Sequence, residues 1–472
     1  MATPRRAALV VVFASAVLGC SSVLGIGDLN IEIDAGAADA TLDAASAPDV
    51  NAADGTASRD DSAAETPLGS GQDGALDVTT LGLIVNSYVP VTSALTPGST
   101  AIPITNLGIF RAGDVVLVLQ SAGMKTPPSS GSQSALDFSN SAETVGNWEL
   151  ATVASIGTSL ALVKPLTKSY GGATQVVRVP QYTTVTIHGG ASVAAGAWDG
   201  RAGGIVAFLA NGTVTNDGAI RVDAVGFRGG ATVLATNMGC SGDDGVPANG
   251  FAQKGEGIGV LSAVGGRGNQ SNGAGGGDCH NAGGGGGGHG GRGGQGGFAC
   301  SCDGARDVGG LGGASLSYSV AARVFFGGGG GAGDANDGTG SNGGRGGGVV
   351  FVRAQRIAGG GEVTARGGAG QTTNTDGGGG GGAGGALNIE AKASIACAGA
   401  SVSGGRGGDS MTGGGAIDGP GGGGAGGHAH VAAPSTTCPI AIQAGLSGMA
   451  NGSATGATPT VASDPNSQGV VE

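Results

Sequence analysis

The sequence predicts an all-β protein: a small β-barrel or sandwich domain, then a glycine-rich β-solenoid-like repeat region, carried on a disordered N-terminal linker. Three observations predict it. Between Val78 and Ala195, short β-branched segments alternate with Gly, Ser and Pro turns. After Gly203, a Gly-Gly pair precedes a six-residue strand ending in Ala four times over. Glycine supplies 107 of 472 residues, while aromatics make up 3%. Glycine buries no side chain and loses the most entropy on ordering, so a conventional core is disfavoured over much of the chain.

Residues 1–19 read as a signal peptide. Arg5 and Arg6 precede an apolar run from Ala7 to Gly19, shorter than the ~20 residues that span a bilayer. The run ends in Val17-Leu18-Gly19-Cys20, which resembles a lipobox, although Leu18 is bulkier than usual there. The resemblance makes Cys20 the lipid attachment site. Ser21, standing where an Asp would signal inner-membrane retention, points to the outer membrane. Residues 20–77 then form the linker. Within 28–77 lie 12 acidic residues against one basic, Arg59, a balance of −11. The rest of the chain holds 22 acidic and 21 basic residues, so nearly all of the net −12 belongs to the linker. Low hydrophobicity and one sign of charge describe a self-repelling spacer.

Residues 78–195 are assigned to the barrel or sandwich. Its strands are sought in Val115-Val116-Leu117-Val118-Leu119, Trp148-Glu149-Leu150-Ala151-Thr152-Val153, Leu160-Ala161-Leu162-Val163 and Thr174-Gln175-Val176-Val177-Arg178-Val179, with Gly113-Asp114 at a turn. The stretch resembles small β-barrel modules of bacterial surface and phage-tail proteins. Residues 196–444 form the repeat domain. Its strands begin at Ile205, Val349, Ala386 and His428. Their second positions read Val206, Val350, Leu387 and Ala429, and their fourth Phe208, Val352, Ile389 and Val431. The first, third and fifth positions tolerate Arg353, Asn388, Glu390, His428 and His430, which predicts one face inward and one towards solvent. Second strands follow on Ala219-Ile220-Arg221-Val222, Glu362-Val363-Thr364-Ala365 and Ala400-Ser401-Val402-Ser403. An insertion at 231–343 carries four cysteines and many of the glycine runs, including Gly283 to Gly288, which are either disordered or packed as extended left-handed glycine helices. Residues 445–472 read as a flexible tail.

With Cys20 lipidated, the remaining cysteines are even in number: Cys240, Cys279, Cys300, Cys302, Cys397 and Cys438. In an exported chain they read as up to three disulfides of open connectivity, with Cys397 and Cys438 placed to staple neighbouring repeats. Metal binding by Cys279-His280, His289 and Cys300-Ser301-Cys302 is weighed and set below the disulfide reading, so no metal and no cofactor are expected. His428 and His430 read as a solvated pair, His188 as a turn neighbour, and Asp334, Asn336 and Asp337 as an acidic turn, with calcium the lesser reading. Chance GxGxxG strings lack a strand-turn-helix context, and the Arg-Gly clusters lack a basic excess, so neither nucleotide nor nucleic acid is expected as a partner. No Ser-His-Asp, Cys-His-Asn or paired-carboxylate group stands out, and the chain is not expected to be an enzyme.

As a whole the chain resembles glycine-rich bacterial cell-surface lipoproteins with PGRS-like Gly-Gly-x repeats, lacking a PE segment. The residues carrying this are Cys20-Ser21-Ser22-Val23-Leu24-Gly25-Ile26, the repeats around Gly348 and Gly385, and Val177-Arg178-Val179-Pro180-Gln181-Tyr182. The resemblance implies a surface-exposed, lipid-anchored protein with a structural or adhesive role, whose partners are the membrane and extracellular polysaccharide or matrix. The alternatives are a carbohydrate- or calcium-dependent binding module, sited near Trp148 or on the repeat face, and a β-solenoid polysaccharide-active enzyme.

Overall fold

The computed structural model describes residues 68–234, 239–247, 250, 252–260, 263–302, 307–336, 339–411, 416–451 and 469–471. The signal peptide, Cys20, most of the linker and Asp337 lie outside them. The described chain is nearly all β, with parallel sheets and an antiparallel half-barrel; its one helical element is the 3-10 turn Leu107–Ile109. No helix among the described residues is long and apolar enough to cross a membrane.

Two parallel sheets run side by side through the molecule. The first stacks Leu76–Val78, Val185–Ile187, Ile205–Asn216, Val349–Ala358, Ala386–Ala391, His428–Ala432 and Val470–Val471. The second stacks Leu83–Ile84, Ser192–Ala194, Ala219–Arg221, Glu362–Thr364, Gly399–Ser401 and Ile440–Ala441. Register follows the repeat: Val206 pairs Val350, which pairs Leu387, which pairs Ala429. In the second sheet, Ile220 pairs Val363 and Val363 pairs Ala400, so the third repeat starts one residue earlier than its sequence alignment suggests. The inward columns, Val206 with Val350 and Leu387, and Phe208 with Val352 and Ile389, meet Ile220, Val363 and Ala400 in one buried core. Each fully buried Val, Leu, Ile or Phe contributes about 1.5–3 kcal/mol.

The half-barrel is inserted into this stack after its first rung. Strands Tyr88–Pro90, Ala173–Val179, Val115–Ala122, Trp148–Ile156, Leu160–Leu162 and Ala101–Ile102 form one antiparallel sheet in that order. The sheet curls until its edges approach, where Val91 and Ile104 form an antiparallel bridge. The flanking segments 78–84 and 185–194, expected to belong to the barrel, pair with the parallel stack instead, as do Leu76 and Asp77, expected in the linker. In Val115–Ala122 the even residues Val116 and Val118 fill the barrel interior, while Val115, Leu117 and Leu119 face the stack. That second face corrects the expectation of a solvated repeat surface. Ile205, Ala207, Leu209, Val349 and Phe351 pack against it and are no more than 1% exposed. Buried Asn86 locks the layers, donating to the carbonyls of Arg178 and Ala207 and accepting from the Ala207 N–H.

The glycine runs are ordered. Gly283 and Gly286 donate to Gly297 and Gly294; Gly284 and Gly287 to Gly378 and Gly381; Gly285 and Gly288 to Gly275 and Asn272. Donors three residues apart therefore address one neighbour, the signature of a threefold, polyproline II-type segment. Three further segments donate back, through Gly310 and Gly313, Gly422 and Ala425, and Gly331 and Gly328. The run 283–288 is thus surrounded on every side. Runs 327–331 and 377–382 are enclosed in the same way. At the rim, one residue in three carries a side chain outwards, as with Arg292, Gln295 and Phe298 in Gly-Gly-x sequence. Residues 445–450 join this bundle and Val470–Val471 joins the first sheet, correcting the expectation of a flexible tail there.

These glycines are required by proximity, since none of the described glycines between 268 and 348 has positive φ. A Cβ on Gly286 would stand less than 3.0 Å from the carbonyl oxygen of Gly423, and one on Gly380 as close to that of Gly285. Gly360, by contrast, has nothing within 4 Å of the same position. Gly286→Ala and Gly380→Ala should each destabilise the protein by about 3 kcal/mol or more, because backbone cannot yield as a side chain does. Gly360→Ala should stay within about 0.5 kcal/mol of wild type in the same urea titration.

Candidate functional site

Covering the outer face of the repeat strands buries the polar residues placed there. Arg353, 2% exposed, lies over the Phe351 ring and donates to the Asn388 carbonyl and to Asn388 Oδ1, and pairs with Glu390 at 2.9 Å. Burial lowers its pKa to about 10, with Glu390 opposing. His430 lies 3.6 Å from Glu390 on the next rung. Arg353 and Glu390 stand directly opposite each other on adjacent strands, an opposite-charge pair of the kind cross-strand pairing favours.

His428 is not solvated. It is 1% exposed, stacked on Tyr318 at 4.0 Å between ring centroids and 5.5 Å from His289. His289, from the far end of the central glycine run, places Nδ1 2.6 Å from the Gly384 carbonyl and Nε2 2.7 Å from the Tyr318 hydroxyl. Tyr318 comes from the insertion, which closes over the strand; that cover is why the solvated reading fails. Both imidazoles are held neutral by burial, with pKa lowered to about 4 for His289 and about 3 for His428. Only His430 of the expected pair keeps part of its side chain, 23%, in solvent.

The cysteines are joined as Cys240–Cys279, Cys300–Cys302 and Cys397–Cys438. Cys397–Cys438 staples adjacent rungs beside the pairing of Ile395–Ala396 with Thr436–Thr437. Its loop of 41 residues, and the 39 of Cys240–Cys279, each contribute about 4 kcal/mol in the chain-entropy model. Of the metal-ligand candidates, Cys279 is committed to Cys240 and His289 is packed elsewhere. His280, Cys300 and Cys302 do come together, with ligand atoms within 4.8 Å of one another, but the two sulfurs are bonded to each other and are not free thiolates.

The acidic residues beside the glycine runs are not an exposed turn. Asp334 and Asp376 are 0% exposed and Asn281 6%. Because run 327–331 is antiparallel to both 283–288 and 377–382, Asp334 at its end meets Asn281 and Asp376 at their starts. Asp334 N–H donates to Ala282, and Gly377 N–H to the Asp334 carbonyl. Burial raises the Asp334 pKa to about 8, and Asp278, at the same end, to about 7.

Elsewhere the expected residues are structural. Trp148 packs edge-on against Phe351 and donates from Nε1 to the Val320 carbonyl, so it is not an open platform. Asp114 of the Gly113 turn, which has φ +89°, pairs with Arg178, which also holds Asp73. His188 pairs with Asp77 at 2.6 Å. Arg228, Arg366 and Arg406 pair with Glu256, Glu362 and Asp409, and Arg345 donates to the carbonyls of Trp198 and Gly226. A cleft of about 400 Å³ that the sequence did not single out lies between the half-barrel and the bundle. Trp198 and Phe227 line it, with Glu256 and the glycines 123, 172, 200, 257 and 259. Trp198 is 2% exposed and its Nε1 has no hydrogen-bond acceptor.

No family model, curated protein or solved structure matches this chain.

The buried imidazoles have an acid-side consequence. Unfolded histidine titrates near 6.5, so between that pH and about 3–4 the unfolded chain binds more protons than the native one. Their neutral burial is therefore fully stabilising above about 6.5 and lost as pH falls towards 4. The difference in thermal midpoint between wild type and His428→Gln should narrow over that window and stay constant from pH 7 to 8.

Proposed function

We propose that this chain is a lipid-anchored protein of the cell envelope, a rigid surface block with a structural or adhesive role.

 The supporting observation is the enclosed glycine bundle. A core built from backbone hydrogen bonds needs few apolar side chains, and it leaves one residue in three along each rim segment free to face outwards. Those outward residues include Arg292, Gln295 and Arg406, a polar surface on a stiff support. The solenoid-like stack gives that support length. Three disulfides fit an oxidising compartment. The signal peptide, Cys20 and the acidic linker of 20–77 supply export, anchor and spacer in this reading.

Protease shaving of intact cells, with membrane fractionation, tests it. The wild-type chain should fractionate with the membrane and be cleaved from outside, whereas Cys20→Ala should be released. A soluble wild-type chain sinks the anchor, and a membrane-bound but protease-resistant one moves the protein to an inward-facing structural role.

A carbohydrate-binding module is the second reading, and the cleft beside Trp198 and Phe227 favours it: a glycine rim and one carboxylate, backed by two buried aromatic rings, suit a small polar ligand such as a sugar. Binding on a glycan array that is lost in Trp198→Ala would support it. Equal binding by both proteins, or none, would remove it.

A further inference from the structure

We propose that Asp334, Asp376, Asn281 and Asn336, gathered at one end of the glycine bundle, bind a hard divalent cation, calcium by ligand type.

The argument begins with the hydrogen bonds. The Asn281 N–H donates to Asp334 Oδ1 at 3.2 Å, and Asn281 Nδ2 donates to the Thr375 carbonyl at 3.3 Å. The Asn336 N–H donates to Asp376 Oδ1 at 3.3 Å, and the Thr375 hydroxyl to Asp376 Oδ2 at 3.1 Å. When these donors are used, Asp334 Oδ2, Asn281 Oδ1 and Asn336 Oδ1 are left buried with no donor. Asp334 has no ion-pair partner among the described residues. Buried acceptors without donors are costly, and a buried carboxylate without a counter-charge more so. Every orphan atom is an oxygen, and the surplus is of acceptors only. A cation satisfies such a set where another acceptor cannot.

Ligand chemistry narrows the choice. Carboxylate and amide oxygens suit calcium or magnesium rather than the softer metals that seek thiolate and imidazole. Magnesium retains several waters in a strict octahedron, whereas calcium accepts flexible, protein-only oxygen sets. A buried cluster of carboxylate and amide oxygens therefore favours calcium. The antiparallel glycine segments explain why residues 281, 334 and 376, distant in sequence, meet here, and a bound ion would tie three segment ends together. Burial also raises the Asp334 pKa, so without a cation the carboxyl holds its proton near neutral pH. Calcium would compete with that proton.

The test is thermal unfolding of the full mature chain at pH 8, after EDTA, with calcium or magnesium restored at about 2 mM, a concentration that fills extracellular-type sites. Calcium should raise the midpoint by roughly 1–4 °C, and magnesium by less. Asp334→Asn and Asp376→Asn should each abolish the increment. No calcium shift in wild type overturns the proposal, as does an equal shift in both variants. A rise in midpoint for Asp334→Asn in EDTA, with no calcium response in wild type, would assign the cluster to a shared proton instead. Should the variants fail to fold, calorimetric titration of wild type with calcium chloride decides. One site per chain supports the proposal, and no heat of binding overturns it.

Discussion

The structure depends on how closely extended glycine backbones can approach. In the enclosed runs 283–288, 327–331 and 377–382, a Cβ would overlap a neighbouring carbonyl at nearly every position. Removing the side chain lets each N–H reach a carbonyl of the adjoining segment, at 2.8–3.1 Å for the glycine donors of these three runs. Glycine ordering is entropically expensive, and pairing nearly every backbone group is what offsets it. The three directions of a threefold segment then decide composition. A run covered on all sides must be glycine throughout, and one at the rim spares one residue in three.

The parallel stack and the bundle are two halves of one coil. Each repeat strand leaves the bundle through the Gly-Gly pair before Ile205, Val349, Ala386 or His428, crosses the two sheets and returns as a further glycine segment. The half-barrel and the insertion then cover the stack's outer face. This cover turns Arg353, Asn388 and His428 from tolerated surface residues into buried ones, each with a specific partner. Covalent staples join adjacent late rungs through Cys397–Cys438 and two segments of the insertion through Cys240–Cys279.

Polar groups concentrate at the segment ends for the same reason. The enclosed interior accepts no side chains, so charge and hydrogen-bonding side chains are displaced to where runs begin and stop. Antiparallel packing brings those ends together. Asp334, Asp376 and Asn281 meet at one end, and His289 meets Tyr318 and His428 at the other end of the central run. Both groups are buried and carry displaced pKa values, but in opposite senses, with the carboxyl pushed towards protonation and the imidazoles away from it.

By itself the sequence determined the β character, the repeat strands and their inward columns, because alternation with period two is a local property of each strand. The columns Val206, Val350, Leu387 and Ala429 pair as aligned. An even set of six cysteines likewise signalled three disulfides. Only the tertiary structure decided that the glycine runs are ordered, since their hydrogen-bond partners lie in segments far along the chain, as with Gly284, which donates to Gly378 and accepts from Gly422. It also decided the fate of the outer face. A column holding Phe351, Asn388 and His430 reads the same whether it meets water or another layer, and burial there depends on Val115–Ala122 and Tyr318, which no local pattern connects to it.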